Sequence, residues 1–445
     1  MSIPLTEQSP PLTIRQIAQA WWPLAASWML MTLEGPAMSA IVARLANAEI
    51  NLAAWGGIVS PFTFLIAAPI MMMLSASTAL TQDYVTYLKL RRFMLRAGIV
   101  LTVLHVLIAF TPLYDIVARQ IIGAPESIIE PGRIGMRIVT PWAWAIAFRR
   151  FNQGVMIRFG HSKAVGTGTM VRLGTNLVLL LLGYLINTIP GIIVACAAVT
   201  TGVTAEAIYS GLRVRPIVQQ KVIPAPPGEP LSTRDFLAFY TPLALTSLIW
   251  VIIQPFGSAA ISRMYNPLPS LAAWPVVNGL LFLLRSPGMA LNEVVVAHMG
   301  RPHAARNLRK FSNILLAITT AITLLIVATP LANLWLTVVM ALPEDLIPLS
   351  QQALWLSAGL PMLSVLISWF QGQIMHSRRT RGITEATTIY SLLMVAILGV
   401  GVITNRFTGL YVAVFAYSIA GLAQVSWLWW RSRTTRYIGT SLPLK

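Results

Sequence analysis

Apolar runs of roughly 20 residues or more recur from one end of this sequence to the other. About 20 residues at 1.5 Å each cross the hydrocarbon core of a bilayer. Hydrocarbon offers the backbone no partners, so such runs must be helices. In the first half they lie at about 17–43, 52–82, 94–114, 133–157, 164–186 and 190–212. In the second half they lie at about 236–262, 270–299, 309–338, 348–375, 383–404 and 408–431. Several exceed 25 residues, which implies tilt, kinks or ends that protrude into water. The expected fold class is therefore all-α and integral to a membrane, with about 12 transmembrane helices. Composition agrees: of 445 residues 56% are hydrophobic and 10% are charged, where a soluble domain carries about a quarter charged residues. Residues 1–16 are polar and hold three prolines. They lack a basic stretch followed by a short apolar run and a small-residue cleavage site, so the first span is expected to stay as an anchor.

The formal net charge is +18, from 32 Lys plus Arg against 14 Asp plus Glu. In a soluble chain that excess points to nucleic acid, but loops on the cytoplasmic side of membrane proteins are basic for their own reasons. With the N-terminus inside and the spans alternating, 24 of the 32 cations fall inside and six outside, with Arg172 and Arg285 within spans. Both termini are thus expected in the cytoplasm, in a plasma (inner) membrane, with the bilayer as partner and no nucleic acid. The segment Arg213–Phe236 carries Pro216, Pro224, Pro226, Pro227 and Pro230 and reads as a stiff cytoplasmic linker.

That linker is also the midpoint of an internal duplication. Pro23-Leu24-Ala25 matches Pro242-Leu243-Ala244, an offset of 219 at which Arg44 meets Arg263, Asn47 meets Asn266 and Trp55 meets Trp274. Further on the offset is 218: Pro69 meets Pro287, Thr111-Pro112-Leu113 meets Thr329-Pro330-Leu331, and Gln153-Gly154 meets Gln371-Gly372. Pro, Trp, Arg and Asn do not recur in register by chance as Leu and Ala do. The expected organisation is a six-helix bundle at 1–212, a linker at 213–235 and a second six-helix bundle at 236–445. An even number of spans per copy makes the repeats parallel, about an axis along the membrane normal. Two such bundles are expected to rock about a central cleft.

Matched interruptions in the two halves point to a transporter's binding site. The first helix carries Glu34-Gly35-Pro36 and the seventh Gln254-Pro255. Each proline removes a backbone donor and frees a carbonyl one turn earlier. Both helices are expected to bend there and line one cavity; the alternative is that the prolines are packing kinks. Glu34 within a span is costly and suits ion coupling, unless it is a structural carboxylate paired with an arginine. Arg285, near the middle of the eighth span, must face a cavity or a partner; Glu293, eight residues on, is the nearest partner along the helix. Arg149 and Arg150 in the fourth span are further candidates, and Arg172 and Glu206 read as snorkelling or paired groups near helix ends. Interior charge leans positive, and an arginine fork suits carboxylate or phosphate.

Other chemistry is missing. There is no G-x-x-x-x-G-K-[ST] loop, the five histidines have no metal spacing, and the single Cys196 excludes an internal disulfide. No catalytic residue, metal or cofactor is expected, and the chain does not read as an enzyme.

Trp21-Trp22-Pro23-Leu24-Ala25, then Glu34, Pro36 and Leu52-Ala53-Ala54-Trp55-Gly56, resemble the multidrug/oligosaccharidyl-lipid/polysaccharide (MOP) flippase superfamily that includes the MATE exporters. Within it the WWPLA run, the glutamate at Glu34 and Gln371-Gly372-Gln373-Ile374-Met375 followed by Arg378-Arg379-Thr380 are most similar to the progressive ankylosis protein branch. Gly35-Pro36 directly after the glutamate departs from that branch. The resemblance implies a two-bundle, twelve-helix exporter without ATPase activity, exporting a small-molecule or lipid-linked substrate with H+ or Na+ as coupling ion. The leading expectation is a secondary-active exporter of an organic or phosphorylated anion by alternating access. The alternatives are a MATE-like multidrug/cation antiporter, a lipid-linked substrate flippase and, last, a non-transporting membrane scaffold subunit.

Overall fold

A computed structural model describes residues 12–226, 228, 231–301, 304–377 and 381–439. They are helical almost throughout. Span 1 is Ile14–Thr32 continued by Glu34–Ala43, and span 4 is Glu126–Ile138 continued by Trp142–Arg158. The others are span 2 (Ala48–Leu80), span 3 (Tyr84–Phe110), span 5 (Ser162–Ile186), span 6 (Gly191–Val222), span 7 (Thr233–Ser262), span 8 (Pro267–His298), span 9 (Ala304–Ala328), span 10 (Glu344–His376), span 11 (Arg381–Thr404) and span 12 (Gly409–Arg433). Those ten are long and apolar enough to cross a membrane. Spans 1 and 4 are not among them; each is interrupted, and span 4 also carries charge. The chain is thus an all-α, multi-pass integral membrane protein.

Helix starts follow local chemistry. Thr13 accepts from the Gln16 amide while the Gln16 side chain accepts from the Thr13 amide, a reciprocal cap. Asp83 opens span 3 in the same way with Thr86. That makes span 3 longer than its apolar run: it begins at Tyr84 rather than near 94, so Lys89, Arg91, Arg92 and Arg96 lie on the helix. Span 9 is shorter, ending at Ala328 before Thr329-Pro330, where the run had suggested 338. Span 6 continues through Val222 and span 7 begins at Thr233, so both ends of the expected linker are helical. Of its prolines, Pro227 and Pro230 lie outside the described residues. Asp83 ties this connection down: its carboxylate accepts from the Gly228 amide at 2.7 Å, and Lys89 Nζ donates to the Leu231 carbonyl at 2.6 Å. The amides of Thr86 and Gly228 hold the Asp83 carboxyl below its ordinary value.

The duplication is written in the backbone. Asn47 and Asn266 both adopt the left-handed conformation (φ 54° and 59°), as do Asn187 and Asn405 (φ 52° and 44°). Asn tolerates that conformation better than most residues, which explains why these loop positions match. Thr111 and Thr329 each return a hydroxyl hydrogen bond of 2.6 Å to the carbonyl four residues earlier, Leu107 and Leu325. Each Thr-Pro-Leu then leads through a short helix into a wide π turn, Ile116–Ile122 in one copy and Trp335–Val339 in the other. These turns end on left-handed residues at matching places, Gly123 (φ 70°) and Ala341 (φ 49°).

Compact units cut across chain order. One comprises Met1–Pro36, Pro275–Met340 and Glu344–Lys445; the other comprises Ala37–Trp274 and Ala341–Pro343. In the first unit Trp21 shows how the initial segment is held. Its indole donates to the Pro287 carbonyl at 3.0 Å, and its ring meets Phe311 edge-on at 5.6 Å. Trp21 is half-buried, and its neighbour Trp22 is exposed. In the second unit span 7 is anchored by Tyr240, whose hydroxyl donates to the Pro69 carbonyl at 2.7 Å, and by Arg263. The Arg263 guanidinium donates to the carbonyls of Gln120, Ile121 and Ile122, closing the end of the first π turn beside Gly123.

Candidate functional site

Within the Ala37–Trp274 unit, spans 4, 5 and 6 bring charge together in the interior. Glu206 on span 6 is fully buried. Arg149 Nη1 donates to its carboxylate at 2.5 Å, Gln153 Nε2 at 2.9 Å, and Arg172 Nε lies 3.4 Å away. Arg149 and Gln153 stand one turn apart on span 4, so a single helical face supplies two of the three contacts. Arg150 is next to them: the charges of Arg149, Arg172 and Glu206 all act on it, and its Nε has no hydrogen-bond partner among the described residues. One carboxylate thus answers three guanidinium groups. A charge buried without a partner is far more costly than a paired one, which makes Glu206 the residue the cluster cannot lose.

Close helix approach makes this arrangement possible. A Cβ on Gly202 would sit 1.6 Å from Asn176 Oδ1, and one on Gly168 would touch Tyr209 and Glu206. Gly202 lets spans 5 and 6 pack at a distance no side chain allows, and Gly168 keeps the contact beside Glu206 close. Gly154 does the same for spans 2 and 4: its Cβ would meet Ser77 Oγ at 1.8 Å and the Leu74 carbonyl at 2.4 Å. The repeat carries the device over. Gly372 lies against Val295 and the Asn292 carbonyl, at the positions matching Ser77 and Leu74.

The charge itself is not carried over. In the second copy Glu206 corresponds to Gln424, Arg172 to Tyr390 and Arg149 to Ile367. Gln424 and Tyr390 are buried. The cation of the other unit comes instead from span 8. Arg285 acts electrostatically on the Tyr390 and Tyr417 hydroxyls, and the two rings meet edge-on at 6.3 Å. Arg285 Nε has no hydrogen-bond partner among the described residues. Pro287 leaves the Leu283 carbonyl without its helical donor, and the Ser286 hydroxyl supplies one at 2.7 Å. Ser364 of span 10 donates to the Arg285 carbonyl at 3.1 Å. The helix bearing Arg285 is therefore pinned to span 10 at the arginine. Glu293 is exposed, and the described residues hold no ion pair between it and Arg285.

Glu34 sits at a real interruption. The first helix ends at Thr32, and a new one begins at Glu34. The carboxylate stands in the first turn of that helix, the end a negative charge favours. Pro36 is its third residue, where an amide has no intrahelical partner to lose. Pro36 is buried, with its ring against Gly279, where a Cβ would come within 3.2 Å. Gln254 is exposed and Pro255 is buried in span 7, which runs unbroken from Thr233 to Ser262. The first helix is interrupted and the seventh is not: Pro255 falls mid-helix, where flanking bonds carry the chain past the missing donor.

Legible in part from the sequence, the Arg149–Arg172–Glu206 cluster still lacked its hub there. Glu206 read as peripheral because its partners lie on spans 4 and 5, far away along the chain. Among the described residues no group of His, Cys, Asp or Glu is placed to hold a metal ion.

No protein-family model matches this chain, and no curated protein matches it. Solved structures do. An inward-facing multidrug resistance MATE family transporter of the MOP superfamily aligns with a TM-score of 0.72 and 15% identity, over 96% of this chain and 100% of that one. The lipid II flippase MurJ, in an inward closed conformation, aligns with a TM-score of 0.71 and 16% identity, over 93% of this chain and 87% of that one. A MOP superfamily transporter from Pyrococcus furiosus, described by the reverse polarity of its binding pocket, aligns with a TM-score of 0.61 and 17% identity, over 97% and 100%. Across nearly its whole length, the chain has a MATE-like all-α membrane fold.

Proposed function

We propose that this chain is a secondary-active exporter of an organic or phosphorylated anion, working by alternating access between its two repeats. The fold supports transport: its structural neighbours are transporters and a flippase. One observation carries the choice of an anion. The interior charge of both units is cationic, with three arginines around one glutamate in one and Arg285 among tyrosines in the other. A drug-cation antiporter needs carboxylates facing its substrate. Of the two candidate carboxylates among the site residues, Glu293 is exposed, and Glu34 is taken up by coupling. Glu34 is the proposed coupling residue, for H+ or Na+. The WWPLA run and Glu34 favour the ankylosis-type branch. The archaeal neighbour with reversed pocket polarity offers a precedent for this fold serving more than one polarity of substrate. A second reading, a flippase for a lipid-linked anion, is favoured by the alignment with MurJ. The proposed membrane is the plasma (inner) membrane, with both termini cytoplasmic.

Arg285 supplies the test. Arg285→Lys keeps the charge and loses the planar fork, so transport is expected to fall while surface level holds. Arg285→Ala is expected to fall further, about a hundredfold or more, since a desolvated partner is removed. Both are measured for surface level and uptake in the same vesicles. A loss of surface level that matches the loss of transport in both variants would make Arg285 structural and remove it from substrate binding.

A further inference from the structure

A cavity of about 640 Å³ opens between the ends of spans 9, 10 and 12, within one compact unit and apart from the buried charges described above. Its wall is apolar on one side, with Met299, Trp369 and Ile374, and cationic on the other, with Arg306 and Arg309. Both arginines are exposed, and they stand three residues apart, hence on one face of span 9. Among the described residues neither has a carboxylate partner, and no acidic residue lines the cavity. Ser377 and Ser432 add hydroxyls, each already donating to a carbonyl of its own helix, so their oxygens are left to accept.

Depth is the second observation. Arg306 and Arg309 lie in the first two turns of span 9, which starts at Ala304. Ser377 follows the last residue of span 10, and Ser432 lies between Arg431 and Arg433 on the helix of span 12, which continues to Gly439. All of these are membrane-end positions, at the level where headgroups lie. Trp369, buried about two turns earlier on span 10, also lines the cavity.

We propose that this cavity holds the headgroup of an anionic phospholipid, its phosphate on Arg306 and Arg309 and its glycerol and upper chain carbons against Met299, Trp369 and Ile374. Basic pockets between helix ends on the cytoplasmic side recognise such headgroups. Arginine matches a phosphate diester with two parallel donors. The volume lies in the range of sites that bury a whole small molecule. Free phosphate has the same anionic chemistry, but it fills little of the space and gives the apolar wall nothing to contact.

The full-length protein is purified in neutral detergent and titrated with phosphatidylglycerol, phosphatidylcholine or inorganic phosphate, following thermal stability and lipid retention by native mass spectrometry. Phosphatidylglycerol is expected to be retained and to raise the melting temperature; phosphatidylcholine and phosphate are expected to do neither. The variant Arg306→Gln/Arg309→Gln is expected to bind phosphatidylglycerol about tenfold more weakly or worse. Arg91→Gln/Arg92→Gln removes the same charge from exposed positions on span 3 and is expected to bind as the unaltered protein does. Arg306→Lys/Arg309→Lys, with charge intact, guards against misfolding and is expected to fall between. Equal loss in the two Gln pairs would mean general attraction to a basic surface. Phosphate alone stabilising through Arg306 and Arg309 would mean a free-phosphate site. Equal retention of phosphatidylcholine would mean no headgroup recognition. Each of these overturns the proposal.

Discussion

Glu206→Ala is expected to abolish the folded protein in most of the expressed material, read as loss of the monodisperse peak and of a cooperative melt. The change strands Arg149 and Arg172 in the interior without their counter-charge. Removing one partner of a buried pair costs about 3–5 kcal/mol, a large fraction of a total stability of about 5–15 kcal/mol. Glu206→Gln keeps the size and the contact with Gln153 but not the charge, and is expected to be nearly as damaging. Replacing the whole constellation is different. Arg149→Met, Arg150→Met, Arg172→Met and Glu206→Met together leave no unpaired charge in the cluster, and apolar replacement of a buried ion network is often neutral or stabilising. That quadruple variant is expected to recover folding. If the cationic interior serves an anion, it stays inactive in transport; a quadruple variant that folds and transports would reduce the cluster to packing.

Gly154→Ala is expected to be worse than Gly372→Ala, although the two positions match in the repeat. At 154 the new methyl meets the Leu74 carbonyl at 2.4 Å, and backbone cannot step aside without moving span 2. At 372 it meets Val295 side-chain carbons at 2.6 and 2.7 Å, with the nearest backbone atom at 3.3 Å. Overpacking costs about 1–3 kcal/mol where side chains can adjust, so Gly372→Ala belongs in that range and Gly154→Ala above it. Melting temperatures of the two purified variants check the order. Ser77→Ala in the Gly154→Ala background is expected to give little back, because the carbonyl clash remains.

These cases show which parts of the structure were visible in the sequence. Long apolar runs are one-dimensional signals, and each of the twelve expected runs falls on a described helical span, the ninth being broken at Thr329-Pro330. The duplication was visible because Pro, Asn and Gly do jobs few other residues do; Asn47 and Asn266 match because both occupy a left-handed loop position. The interruption at Glu34 was visible for the same reason. Helix ends were less so. Span 3 extends into charged residues because Asp83 caps it, and a hydropathy run cannot see a cap. Least visible were contacts between distant positions. Glu206 gathers residues from two other helices, and Trp21 reaches across to Pro287. A single sequence records neither pairing, because the distance along the chain carries no information about which helices meet.

The measurement that bears most directly on the account is substrate polarity in reconstituted vesicles. The protein is placed in proteoliposomes loaded with an organic anion such as citrate or with pyrophosphate, and exchange against labelled external anion is followed with and without a proton or sodium gradient. A parallel set carries a lipophilic organic cation. The account predicts saturable anion exchange that Arg285→Ala abolishes and that Glu34→Gln uncouples from the ion gradient, with no protein-dependent movement of the cation. Gradient-driven transport of the cation, lost in Glu34→Gln and unaffected by Arg285→Ala, would contradict it.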